Sequence, residues 1–268
     1  MFIFIKSMDL YAYETRTTIA EKDTNATSSK TLSNDSLLTK NKEFSRLLGI
    51  GYIVSFPQSS FSGEVHSVIK GVDIYYWIAP PNIHLAYGVD ISVMNYGSEK
   101  TTIHGGIGYG SQQDITYSTK YNIIAVLFSI RYQWEYGIIA PYIDGLMGVN
   151  CFYTTSEGKF ENGSYEGTYF QTDIGYTDAA PCFGLGTGLT IKIIPLRPDI
   201  RNGVLVGYHD ALNIDVGVRY LFGSRLKYLR EGSMFVAKDT IGNETASYIP
   251  SESRTDRICL QVGFSFKF

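Results

Sequence analysis

ICLQVGFSFKF, residues 258–268, closes the chain, and apolar and polar side chains alternate along it without a break. Ile258, Leu260, Val262, Phe264, Phe266 and Phe268 fall on one side, while Arg257, Cys259, Gln261, Gly263, Ser265 and Lys267 fall on the other. A two-residue period marks a β-strand, because successive side chains point to opposite faces of a pleated backbone. Chain ends are ordinarily frayed and polar. An aromatic strand that runs to the last residue therefore needs a defined apolar environment.

The same period recurs upstream in seven further stretches, 47–56, 68–78, 83–93, 122–134, 140–153, 182–193 and 211–222. In the sixth of these, Phe183, Leu185, Leu189, Ile191 and Ile193 alternate with Gly184, Gly186, Gly188, Thr190 and Lys192. Composition agrees with a strand-rich chain: 21 Tyr, 15 Phe and 27 Gly stand against 8 Pro. Tight connections, APPN (79–82) and EYGI (135–138), alternate with long polar ones such as 97–114, 155–173 and 224–253. The segment PQSSFSG (57–63) reads as a short polar turn, and 195–210 as a long connection on the tight-turn side.

Several classes are excluded. A net charge of −3 gives no reason to expect a nucleic-acid partner. Cys151, Cys182 and Cys259 are odd in number and widely spaced, which argues against a disulfide framework or a zinc site. No apolar run reaches the roughly 18 residues of a spanning helix. Residues 1–43 read as a flexible polar leader, and MFIFI before Lys6 is shorter than the apolar core of a signal peptide. GIGYG (106–110) and GLGTG (184–188) lack the spacing and the strand-to-helix setting of a nucleotide-binding loop.

Alternation alone fits a soluble lipocalin-like carrier as well as a membrane barrel. The polar face decides between them. It carries Gly, Ser, Asn, Thr and isolated charges rather than the Lys and Glu that coat a soluble sheet. Small residues with single charges suit a narrow lumen, and the continuous Leu/Ile/Val/Phe/Tyr face suits lipid. A Lys or Arg at mid-membrane on that face would cost about 2–4 kcal/mol, and the face has none there, Lys70 falling at a strand end. Phe56, Trp134, Tyr153, Phe222 and Phe268 sit where interfacial aromatic girdles belong.

PYIDGLMGVN (141–150), FGLGTGLTI (183–191), LNIDVGVRYLFG (212–223) and VGFSFKF (262–268) resemble the strands of small bacterial outer-membrane β-barrels of the OmpA-barrel/OmpX type, over roughly residues 44–268. The resemblance implies an all-β, eight-stranded antiparallel up-and-down transmembrane barrel in the bacterial outer membrane, a monomer closed by pairing 258–268 with 47–56. It further implies that Phe264, Phe266 and Phe268 form the signal read by the barrel-assembly machinery. With both termini in the periplasm, the long loops after the odd-numbered strands point outward.

Asp73, Asp90, Arg131, Asp144, Asp215 and Arg219 are expected in the lumen, paired as a charge network, since an eight-stranded interior is only just wide enough for side chains. A narrow-lumen minor channel is the sharper alternative. An enzyme acting on lipid is the other. Of its candidates, His66 and Ser67 are neighbours facing opposite ways, His84 reads as inward near a periplasmic turn, and His104 lies in a loop. No cofactor is expected, and no enzymatic role. The function read from the chain is structural, stabilising the envelope, or adhesive, with outer-membrane lipid around the barrel and an extracellular partner meeting the loops. Leu226, Tyr228 and Phe235 are expected to extend the last hairpin as a protruding edge.

Overall fold

The alternation becomes a single closed sheet. A computed structural model describes residues 44–268 except 82, 109–110, 135–136, 163–165, 172–174, 202–203 and 239–243. The leader expected at 1–43 lies outside the described residues. In chain order the elements are β1 (Ser45–Pro57), α1 (Ser59–Glu64), β2 (Ile69–Ala79), β3 (Leu85–Gly108), β4 (Ser111–Gln133), β5 (Ile139–Phe160) and β6 (Tyr169–Gln171). They continue as β7 (Thr177–Arg201), β8 (Val204–Gly223), β9 (Arg225–Tyr228), β10 (Met234–Lys238), β11 (Glu244–Tyr248), β12 (Ser251–Arg254) and β13 (Arg257–Lys267).

Nine strands share one sheet, in the order β4-β3-β2-β1-β13-β8-β7-β5-β6, and β4 also pairs with β5. With β6 as a short side piece, the remaining eight close on themselves, every pairing antiparallel. Closure is made by the opening stretch: β13 pairs with β1 from Leu47↔Lys267 to Pro57↔Arg257. No edge is left for lipid to meet, which a spanning sheet requires.

Side-chain direction follows the period. Leu48, Ile50, Tyr52, Val72, Ile74, Val89, Ile91, Val126, Phe128, Leu185, Val216, Val262 and Phe264 are exposed on the outside, and the residues between them are buried within. An apolar exterior that encircles the whole barrel is far larger than a soluble monomer exposes. It is a lipid belt. Lys70, on the same face, sits at the start of β2 beside Val54 and Asn95.

Three features depart from the sequence expectation. β3, β4 and β5 run to 24, 23 and 22 residues, about twice the 9–11 that a tilted membrane strand needs. Their upper parts stand above the belt, where the exposed stripe Tyr87–Val93 gives way to Asn95 and Lys100. Residues 97–114, expected as a loop, are therefore mostly a hairpin with register shifts at Asn95/Gly97 and Ile103/Gly106. Residues 195–210 likewise continue β7 and β8 as a bulged hairpin at the opposite end. The turn expected near PQSSFSG contains α1, whose six residues have no side-chain cap and are anchored by buried Phe61.

Candidate functional site

The lumen has three levels. In the middle, all six charges expected inside point inward and are buried. Arg131 and Asp144 are direct cross-strand partners on β4 and β5. Arg131 Nε donates to Asp144 Oδ1 at 2.8 Å and Nη2 to Oδ2 at 2.9 Å, a two-pronged fit of guanidinium to carboxylate. The guanidinium lies 4.2 Å from the Trp77 ring centre and 3.5 Å from that of Tyr142, a cation–π contact with each.

Arg219 is held more loosely, its Nη2 3.5 Å from Asp90 and 3.9 Å from Asp144. It reaches them across Gly186, where a Cβ would lie 2.9 Å from Arg219 Cγ. Gly188 and Gly217 do the same for Tyr142, whose Oη would be 2.4 and 2.5 Å from an added Cβ. The GLGTG run is thus relief for large inward side chains arriving from other strands.

Neutral donors serve the remaining carboxylates. Ser129 Oγ donates to Asp90 at 3.0 Å, and Asp215 accepts from Tyr75 Oη at 2.7 Å and Thr190 Oγ1 at 2.6 Å. Asp73 accepts from Gln261. The two-residue period turns Tyr75, Trp77, Tyr142 and Gln261 inward but does not assign them to the network. Their parity is a usable signal, yet which inward residues share a level depends on strand stagger. Fully buried Arg257 escapes in the same way; its Nη2 donates to Asn150 Oδ1 at 2.7 Å.

Above this level the lumen is hydrophobic and closed by loops. Phe152, Tyr96 and Tyr121 from the barrel meet Phe61 of α1 and Tyr228 of β9 in one buried cluster. Phe61 packs edge-on to Phe152 (5.8 Å between ring centres) and to Tyr228 (5.5 Å). Burial pushes the Tyr228 phenol up to about 12. Polar clasps lock the lid: Tyr96 Oη donates to Leu229 O at 2.6 Å, and Arg230 pairs with Glu64 at 2.8 Å. Gly232, at φ +82°, turns its N–H onto Glu99 at 2.6 Å. Leu226 and Tyr228 are accordingly buried in the lid and do not form the protruding edge expected of them; Phe235 is exposed. The part that stands above the belt is β3–β4–β5 instead.

Below the charges the lumen opens at the end carrying Ser45 and Lys267. An inner chamber of about 40 Å³, lined by Trp77, Arg131, Thr190, Lys192, Asn213 and Lys267, leads to an outer recess of about 420 Å³. His84, expected to face inward, is exposed at the rim of that recess, its ring 6.0 Å from Tyr132. His66 is exposed in the loop after α1, and the neighbouring Ser67 Oγ donates to Tyr96 O. The side chains of His104 and His209 lie outside the described residues. Among the described residues, no group of three His, Cys, Asp or Glu is placed to hold a metal ion.

No family model matches the chain, and no curated protein does. Solved structures do. Neisserial surface protein A is 11% identical, with 83% of this chain and 95% of that one covered at a TM-score of 0.39. Ail, the attachment invasion locus protein of Yersinia pestis, in complex with the heparin analogue sucrose octasulfate, is 12% identical over 84% of this chain and 99% of that one, at 0.39. A major outer membrane protein from Thermus thermophilus is 12% identical, covers 83% and 99%, and scores 0.41. The closed sheet and the apolar belt define the fold on their own. Closed antiparallel barrels with short turns at one end, long loops at the other and an apolar band between are the spanning proteins of outer membranes, and by fold this chain is an eight-stranded antiparallel barrel of that architecture.

Proposed function

We propose that the chain is a non-enzymatic outer-membrane post, which presents a fixed extracellular face and serves attachment or envelope support. The observation that carries this reading is the clasped lid. α1 and the residues 224–238 and 244–256 are tied to the barrel and to each other by Phe61, Tyr228, Arg230–Glu64 and Gly232–Glu99. Ordering so many loop residues costs roughly 1–2 kcal/mol each in backbone entropy, a cost that loops serving only as solvated connections need not meet. The β3–β4–β5 extension adds a sheet with polar outward residues such as Ser98, Lys100 and Thr102, and exposed Tyr169, Phe235, Tyr248 and Ile249 add apolar contact points. Lipid surrounds the belt, and Phe264, Phe266 and Phe268 present the terminal signal to the assembly machinery before insertion.

The test is surface display on a non-adherent Gram-negative host, with attachment to cultured cells and to matrix-coated plates as the readout. Cells carrying the full barrel should attach above the empty host, and replacing 98–119 by a tight turn should remove most of the gain. Equal attachment by host, full barrel and truncated barrel would overturn the adhesive role and leave envelope support, read as detergent sensitivity of the same cells.

A further inference from the structure

Between the ionic level and the lid, one cation lies buried among apolar neighbours. Arg257 opens β13 and points inward one position above Arg219, since Cys259 pairs with Arg219 and Arg257 with Leu221. It is fully buried, and its Nη2 reaches Asn150 on β5, which is fully buried as well. The cross-strand partners of Asn150 are Ala125 and Ala180, and those of Arg257 are Leu221 and Pro57. Among the described residues, no carboxylate pairs with Arg257. Its chain neighbour Asp256 is engaged elsewhere, accepting from Gly223 N–H at 2.9 Å and lying 3.7 Å from Arg254. Asp144 and Asp90, at the level below, face Arg131 and Arg219.

Donors are left over as well. A guanidinium can only donate, so Asn150 turns Oδ1 to Arg257 and Nδ2 away. Among the described residues, Asn150 Nδ2, Arg257 Nε and Arg257 Nη1 have no hydrogen-bond partner. Surplus buried donors beside an uncompensated positive charge call for an acceptor that is itself negative. A water accepts but leaves the charge unbalanced, and an unpaired buried charge is costly. Thiols are weak acceptors, and Cys259 Sγ already meets Ser55 Oγ at 3.1 Å.

We propose that Arg257 and Asn150 hold a small inorganic anion of the halide class inside the lumen, between the ionic level and the lid. Size selects the class. An eight-stranded interior is only just wide enough for side chains, so it suits an ion of one atom and not a phosphate or an organic acid. Nε and Nη1 lie on different edges of the guanidinium, so a single ion accepts from one of them together with Asn150 Nδ2. The ion ties the start of the closing strand β13 to β5, two strands away past β8 and β7. With the ionic level beneath and the lid above, it enters from the medium as the barrel folds. The site is independent of what the outer face meets.

Crystals of the full chain refolded and grown in sodium bromide, with diffraction data collected at the bromine absorption edge, read the site directly. One anomalous peak is expected within hydrogen-bonding distance of Arg257 and Asn150 Nδ2, and Arg257→Met should abolish it. In detergent solution, the urea midpoint of the folded barrel should be higher in sodium bromide than in sodium gluconate of equal ionic strength. Arg257→Met should remove that difference; if this variant fails to fold, Asn150→Ala should lose at least half of it. Density at the site without anomalous signal, which marks water, would overturn the proposal. So would a bromide peak that survives in Arg257→Met, or an equal difference between the two salts in parent and variants.

Discussion

The ionic level and the aromatic lid occupy one lumen but come from different parts of the chain. Every member of the ionic level is an inward-facing strand residue, fixed by the same alternation that makes the belt. The lid is assembled from α1, 224–238 and 244–256, held by contacts between residues such as Phe61 and Phe152 that are far apart in sequence. The first is part of the barrel's closure, whereas the second rests on top of it. The difference predicts global coupling for one and local opening for the other.

Arg131→Leu gives the largest effect. It leaves Asp144 buried without its cation, a loss of about 3–5 kcal/mol. Urea unfolding in detergent, followed by the mobility of unheated samples, should show the whole barrel destabilised. The double variant Arg131→Leu/Asp144→Leu should regain most of the loss, because the uncompensated charge is gone. Arg219, with its longer contacts, should cost less than Arg131.

Phe61→Ala sharpens the contrast. Removing a buried phenylalanine costs about 3–5 kcal/mol, but here the loss should appear as lid opening. Protease cleavage within 224–256 should accelerate while the barrel's urea midpoint moves little. If the midpoint falls as far as in Arg131→Leu, lid and barrel are one cooperative unit and the distinction fails. Arg230→Gln, at a half-exposed pair, should change lid protection by less than about 1 kcal/mol.

The smallest effect is a pH dependence in the lid. Tyr228 holds its proton more tightly folded, at about 12, than the ordinary phenol near 10. Its contribution is therefore complete below pH ~10 and lost as pH rises towards 12. Protease protection of the lid should fall across that window, and Tyr228→Phe should flatten the fall.

These two regions also mark what the sequence made legible. Strand faces, and with them the inward placement of Asp73, Asp90, Arg131, Asp144, Asp215 and Arg219, follow from a backbone period that lipid on one side makes visible. Above the belt the outward face of β3 carries polar residues such as Ser98, Lys100 and Thr102, so 97–114 shows no apolar stripe and reads as a loop. α1 is too short for a helical period, and only Phe61's burial against distant residues holds it. Pairing within the network was equally hidden, since Gln261 meets Asp73 and Arg257 meets Asn150 through stagger and lumen width rather than sequence spacing.

The barrel spans lipid, and its lumen is closed twice. Single-channel recording of the folded protein in planar bilayers tests it most directly. The wild-type barrel should show no unitary steps, and Phe61→Ala, which disturbs the lid alone, should stay silent because Arg131, Asp144 and Arg219 still fill the level beneath. Reproducible unitary conductance from the wild-type protein would show an open lumen and rule out both closures.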